Sequence, residues 1–412
     1  MPFFRSLLML LTMLGMSTPW ASEHAATAVD QQASKSSDKQ KNWQAARTKT
    51  QSGVTTAFDK QGVLWRARVD NGQIVLNRSI DFAKSFSNDI IVNTEPETVS
   101  AEGENRPKIA FGKHDEIYIS WTRSLDQPYS GEVRFARSLD GGKHFSAPMA
   151  VNDNHEVISH RFEAMGVDAQ GNIHLVWLDK RDQSAAKVKS ENYAGSALYY
   201  AVSKDAGQTF STNRKLVDNS CECCRVAMDF DSDSTPVIFW RHIYGRNVRD
   251  HALLRLDEQS QPVRVSYDHW EIAACPHHGG AISIDTHNTY HLTWFNNGPE
   301  RHGLFYAHSN DQGKKFSTAV KIGNYDAQAA HPFVLAIKKN VYLVWKEFDG
   351  KQSLIQLMRS TDQGNNWQPV KTLATTDAAS DHPLLISNGQ TAWLSWSTAN
   401  QGLVFMALNK AE

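Results

Sequence analysis

The sequence predicts an all-β protein in which one small antiparallel unit is repeated around a ring. Three observations carry that expectation. Short alternating runs ending in Trp recur along the chain: Ile117–Trp121, Ile173–Trp177, Val237–Trp240, Tyr290–Trp294, Val341–Trp345 and Ala392–Trp396. Their period-2 pattern and their β-branched and aromatic content are those of strands. Before each run lies another apolar strand, joined by a tight turn such as Asp59-Lys-Gln-Gly62 or Asp168-Ala-Gln-Gly171. A turn of fixed signature, Ser-x-Asp-x-Gly-x-x-aromatic, then closes most units. Self-similarity at this period marks a repeat architecture, so the 412 residues measure repeat number rather than domain number.

At the N-terminus, Arg5 precedes an apolar run from Leu7 to Met16 and small residues around Pro19 to Ser22. That pattern predicts a secretory signal peptide over residues 1–22, because the run is too short to span a bilayer. Residues 23–41 are rich in Ala, Ser, Gln, Asp and Lys and read as a disordered leader. The mature chain is expected to be periplasmic or secreted and monomeric, with one propeller domain over residues 42–412. No later stretch approaches the ~20 apolar residues of a membrane span. Lys and Arg number 43 against 44 Asp and Glu, which leaves no electrostatic footprint for nucleic acid or an anionic membrane.

Seven units follow, beginning near Val54, Pro107, Phe162, Val226, Gly280, Pro332 and Pro383. The last has three clear strands, and residues 42–51 are candidates for its missing outer strand. Radial repetition protects sheet edges, so the expected architecture is a seven-bladed β-propeller. The closing turns are Ser138/Asp140/Gly142/Phe145, Ser203/Asp205/Gly207/Phe210, Ser309/Asp311/Gly313/Phe316 and Ser360/Asp362/Gly364/Trp367. A degraded copy is Ser79/Asp81/Ala83/Phe86, and the unit around residues 226–270 has none. Asp suits such a turn by accepting backbone N–H bonds, Gly by adopting positive φ, and the aromatic by filling the gap between sheets. The expected role of Asp140, Asp205, Asp311 and Asp362 is therefore structural.

This signature resembles the Asp-box, or BNR repeat, of the sialidase-like β-propellers, and its copies cover roughly residues 52–408. Sialidases have six blades, so the resemblance also implies a six-bladed arrangement as the alternative. It implies that the boxes lie away from the active face. It further implies an exo-sialidase or glycoside hydrolase, with Arg106, Arg161 and Arg241 as an arginine triad. Glu347 and Asp179 would then be the carboxylates, and Tyr244 or Tyr325 the nucleophile. The family's Phe-Arg-Ile-Pro start is absent; the nearest segment is Asn105-Arg-Pro-Lys108.

Aligning the units exposes one equivalent position just before each innermost strand: Ser52, Arg106, Arg161, Cys224, His278, His331 and His382. In a propeller these side chains converge on one mouth of the central channel. Imidazole and thiolate are preferred ligands of zinc and copper. Cys224, His278, His331 and His382 are thus the expected first ligands of a copper or zinc ion, with Cys223, Cys275 and His277 as further candidates. Arg106 and Arg161, with Arg241 and Glu347 from neighbouring loops, are expected to hold a small anionic ligand or glycan beside the metal, because guanidinium groups grip anions bidentately. Two other readings stay open: disulfides joining Cys221 or Cys223 to Cys275 across adjacent blades, and a non-catalytic propeller that binds a glycan or a protein.

Overall fold

A computed structural model of the chain describes residues 53–101 and 103–408. The expected signal peptide, the leader, segment 42–51 and Ser52 lie outside the described residues. Blade 1 holds β1 (Thr55–Phe58), β2 (Leu64–Asp70), β3 (Gln73–Ser79) and β4 (Ile90–Ile91), and blade 2 holds β5 (Lys108–Phe111), β6 (Ile117–Ser124), β7 (Gly131–Ser138) and β8 (Met149–Ala150). Blade 3 is β9 (His160–Val167), β10 (Ile173–Asp179), β11 (Ser196–Ser203) and β12 (Arg214–Ser220). Blade 4 is β13 (Ala227–Phe230), β14 (Pro236–Tyr244), β15 (Val248–Arg255) and β16 (Val263–Arg264). Blade 5 is β17 (Ala281–Ile284), β18 (Tyr290–Asn297), β19 (His302–Ser309) and β20 (Val320–Ile322). Blade 6 is β21 (Ala330–Ile337), β22 (Asn340–Phe348), β23 (Ser353–Ser360) and β24 (Lys371–Thr376). Blade 7, among the described residues, holds β25 (Leu384–Ser387), β26 (Ala392–Thr398) and β27 (Gly402–Ala407).

Strand pairing within blades is antiparallel throughout, and the first strands touch in the order β1, β5, β9, β13, β17, β21, β25 and back to β1. The ring therefore has seven blades rather than the six of the alternative. One joint is unusual. Blades 3 and 4 merge into a single eight-stranded sheet, because β12 pairs with β14 through Ser220 and His242. A short helix, α1 (Arg181–Val188), interrupts blade 3 between β10 and β11.

Each blade buries one second-strand Trp: Trp65, Trp121, Trp177, Trp240, Trp294, Trp345 and Trp396, none more than 3% exposed. An indole removes about 150–250 Å² from water, a contribution of about 4–6 kcal/mol per blade. A buried indole N–H normally finds an acceptor, and six of the seven do, the exception being Trp240. Trp65 donates to Asp59 (2.8 Å), Trp121 to Glu97 (2.8 Å), Trp177 to Asp179 (2.9 Å), Trp294 to Asp268 (3.1 Å) and Trp345 to Glu347 (2.7 Å). Trp396 uses the Asp381 carbonyl at 3.0 Å.

The Asp-containing turns have the geometry their chemistry calls for. Ser Oγ accepts the N–H of Gly142, Gly207, Gly313 and Gly364, and of Ala83 in the degraded copy, at 2.8–2.9 Å. The Asp carboxylate accepts the N–H four residues on: Ser85, His144, Thr209, Lys315 and Asn366. Phe210 meets Phe135 of blade 2 edge-on at 5.0 Å, and Trp367 meets Tyr306 of blade 5 at 4.8 Å. The turn aromatic thus seals one blade against the preceding one.

Candidate metal centre at one mouth of the ring

The segments that lead into the innermost strands bring titratable side chains together in two neighbouring clusters. Each segment is anchored by the strand that follows it, which is why residues far apart in sequence meet here.

The first cluster is built by the approaches to blades 2, 5, 6 and 7. One ligand atom each from Glu104, His331 and His382 lies within 4.8 Å of the others. His331 Nδ1 is 3.1 Å from Glu104 Oε1, and His382 Nδ1 is 3.7 Å from the same oxygen. The His331 and His382 rings stack at 3.3 Å, and His278 follows at 4.7 Å from His331. Arg225, the residue after Cys224, closes on Glu104 Oε2 at 3.2 Å. Burial pushes the Glu104 carboxyl up, but Arg225 and then the two histidines outweigh it and hold the group well below the usual carboxylate range. Burial, followed by the neighbouring His331, lowers His278 to about 3 and His382 well below its ordinary value. Both rings are therefore neutral, and neutral imidazole is the ligating form. The buried Nδ1 atoms of His278 and His382 have no hydrogen-bond partner.

Backbone geometry shapes this cluster. His331 adopts φ +52, where β21 shifts register against β22 between Ala330 and Phe333. A non-glycine residue in that region is held there by its surroundings at a cost of about 1–3 kcal/mol. Gly103 (φ +50) lies under His382, and a Cβ there would sit 3.0 Å from the ring's Cε1.

The second cluster belongs to the approach to blade 4. Cys221, Cys223 and Cys224 are buried, with Cys221 Sγ 3.0 Å from Cys224 Sγ and 3.8 Å from Cys223 Sγ. Arg249 on β15 donates from Nη1 to Cys221 Sγ at 3.1 Å. Burial raises the Cys221 thiol, but its sulfur neighbours and then Arg241 and Arg249 bring it well below the usual thiol value. Cys223 also forms a group with Cys275 and His277, both exposed. Contact with Cys223 lowers the Cys275 thiol to about 7. All four cysteines are free, and the alternative disulfides from Cys221 or Cys223 to Cys275 are not formed.

The expected ligand set is thereby divided. His278, His331 and His382 are brought together, whereas Cys224 faces the other thiols and shares no 4.8 Å group with a histidine. Its segment is tied sideways to β14 by the Cys221 N–H to Arg241 carbonyl bond (2.9 Å), beside the joint between blades 3 and 4.

The residues expected to bind an anion are committed to the protein. Arg106 grips Asp381 bidentately at 2.5 and 2.7 Å and also donates to the carbonyls of Gly103 and Val54. Arg241 donates to the carbonyls of Arg249, His278 and Phe295. Glu347 accepts from Trp345, Gln356 and the Asn324 N–H. Arg161 is buried with its guanidinium 5.1 Å from the Phe162 ring. Asp179 is occupied by His160, Trp177 and Arg181. Arg106 and Arg241 hold blades together, which departs from the expectation of an open arginine triad. Sequence reasoning missed Glu104, Arg225 and Arg249. Glu104 stands two residues before the blade 2 hub position, outside the register that picked out the histidines.

No protein-family model and no curated protein matches this chain. Solved structures do. A polysaccharide lyase, an ulvan lyase solved bound to -[GlcA(1-4)Rha3S]-, is 10% identical over 85% of this chain and 90% of its own, with a TM-score of 0.56. The BP39L lectin from Burkholderia pseudomallei is 11% identical over 86% of this chain and 98% of its own, with a TM-score of 0.55. The Hadza microbial sialidase Hz136 is 14% identical over 82% of this chain and 74% of its own, at a lower TM-score of 0.46. Such identities speak for the fold. The chain is a seven-bladed β-propeller, and that fold is what it shares with the lyase and the lectin. No helix among its described residues is long and apolar enough to cross a membrane.

Proposed function

We propose that this protein is an exported metal-binding propeller that holds copper or zinc at one mouth of its ring. The observation that carries this reading is the convergence of Glu104, His331 and His382 within 4.8 Å, beside His278. Buried polar atoms are normally paired, so the partnerless Nδ1 atoms of His278 and His382 call for an occupant. Imidazoles with one ionised carboxylate form a donor set that suits zinc and divalent copper. Strand-anchored segments hold the set more rigidly than a loop would. Cys224, Cys223, Cys275 and His277 add softer donors on the adjacent blades. The partner is a small anionic ligand or glycan held by the metal itself, because Arg106 and Arg241 are taken up by protein groups. The fold shared with an ulvan lyase and a lectin supports that choice. Sialidase chemistry is the weaker reading, since two of its three candidate arginines are bound to protein groups.

Elemental analysis of the mature protein recovered from its export compartment tests this. One equivalent of copper or zinc is expected, with affinity falling about tenfold or more in Glu104→Gln, His331→Ala and His382→Ala. A wild-type protein without stoichiometric metal, or variants that keep their metal unchanged, would overturn the proposal.

A further inference from the structure

The cysteine cluster differs in chemistry from the histidine cluster, and three features define what it suits. Its donors are three sulfurs, none more than 4% exposed, carried on one four-residue turn. A three-coordinate ion with metal–sulfur bonds of about 2.3 Å separates its sulfurs by about 4 Å. Cys221 and Cys223 stand at 3.8 Å, and Cys221 and Cys224 at 3.0 Å, so modest rotation of one thiol admits the ion. Among the described residues no fourth Cys, His, Asp or Glu atom lies within 4.8 Å of all three sulfurs. Structural zinc sites are almost always four-coordinate, whereas monovalent copper is soft and accepts three thiolates.

Charge makes the same selection. Three thiolates around a monovalent ion carry a net charge of −2. A buried charge of that size needs partners. Arg249 supplies one guanidinium at 3.1 Å from Cys221 Sγ, and Arg241 brings a second, bonded to the Arg249 carbonyl at 2.9 Å. Cys223 also belongs to the outer group with exposed Cys275 and His277. One sulfur therefore links a solvent-facing pair of ligands to the buried pair.

We infer that Cys221, Cys223 and Cys224 form a second metal site, specific for monovalent copper, which the ion reaches by ligand exchange from Cys275 and His277 through Cys223. The inference rests on the reading of this propeller as a metal-binding protein, but it uses none of the hub histidines. Copper arrives already monovalent. Copper bonds each sulfur as its thiolate, and any thiol still protonated releases its proton to solvent, so nothing is oxidised or reduced.

The test uses the reduced, metal-free mature protein under anaerobic conditions, titrated with cuprous ion against bicinchoninate as a competing chelator. X-ray absorption on the loaded wild type is expected to show copper with three sulfur neighbours. Cys221→Ser and Cys224→Ser should each weaken the competition by about tenfold or more. Cys275→Ser should reach the same endpoint about threefold or more slowly, because it removes an outer ligand but none of the final three. The wild-type spectrum keeps the test decisive even if a serine variant misfolds. Copper bound by nitrogen and oxygen alone, or zinc displacing it mole for mole, would overturn the site. Unchanged loading by Cys275→Ser would overturn the route. Failure of the hub reading has another signature: sulfur-bound copper with no second ion on nitrogen and oxygen.

Discussion

Acid should destabilise this ring through His251, a residue outside both clusters. His251 lies on β15 with no exposed surface, stacked 5.1 Å from Phe239 and 6.1 Å from Trp294. Neither ring nitrogen has a hydrogen-bond partner, and Arg241 is its cross-strand neighbour on β14. Burial first, then the Arg241 charge, depresses its pKa well below the ordinary 6.5. The folded state thus refuses a proton that the unfolded chain accepts once the pH drops below about 6.5. The stabilising contribution is complete above that pH and shrinks as the pH falls, by up to about 1.4 kcal/mol per unit. Between pH 7.5 and pH 5 the loss from this one group is at most about 2 kcal/mol. Phe fills the same stacked slot without titrating. His251→Phe should remove that share of the acid sensitivity and, by eliminating two unpaired polar atoms, raise stability at pH 7.5 by about 1–3 kcal/mol. Urea unfolding of both proteins at the two pH values reads the difference of differences, which cancels the contributions of other histidines. An equal acid-induced loss in wild type and variant would refute the reasoning.

Three further substitutions probe features on which the site depends. Ala83 holds φ +68 where four other blades place Gly at φ 80–85; Ala83→Gly should stabilise the protein by about 1 kcal/mol, visible as a small rise in calorimetric Tm, and a fall would refute the strain argument. Gly103→Ala puts a Cβ against His382 at a positive φ, so metal affinity should drop about tenfold in a chelator competition while far-ultraviolet circular dichroism stays native. Arg106→Ala strands Asp381, whose side chain is only 3% exposed, and should cost about 3–5 kcal/mol in chemical denaturation. If Arg106 instead serves a ligand, stability would hold and only binding would suffer.

The fold was legible because its signals are local and repeated. A turn Asp that must accept backbone N–H bonds, and a Gly that must turn left-handed, leave the same mark in each of several blades. First strands consequently begin within two residues of the positions expected from the repeat. The histidine cluster was legible for the same reason, since register alone aligned His278, His331 and His382. Glu104 was not, because it stands two residues ahead of the aligned position, where a carboxylate recurs only as Glu222 before Cys224. Cys224 was put on the histidines' side by register, whereas the pairing of Ser220 with His242 pulls its segment towards β14 and Arg249. Arg106 and Arg241 misled for a different reason: sequence shows the charge but not the buried acceptor that uses it. Asp381 is 275 residues from Arg106.

The merging of blades 3 and 4 gives the ring a weld. Those two blades share backbone bonds and one apolar cluster that contains all three buried cysteines together with Phe162 and Trp240. Among the described residues, blades 7 and 1 meet through ring contacts, with Phe82 stacked on Trp393 at 4.6 Å and Phe58 tilted against it at 5.9 Å, and through Arg106, which bonds both Asp381 and the Val54 carbonyl. Such ring contacts contribute about 0.5–1.5 kcal/mol each beyond their burial, and they slip independently in a way that a shared strand pair cannot. Thermal breathing should accordingly open the ring elsewhere first, and the thiol-bearing quarter should be the last to come apart.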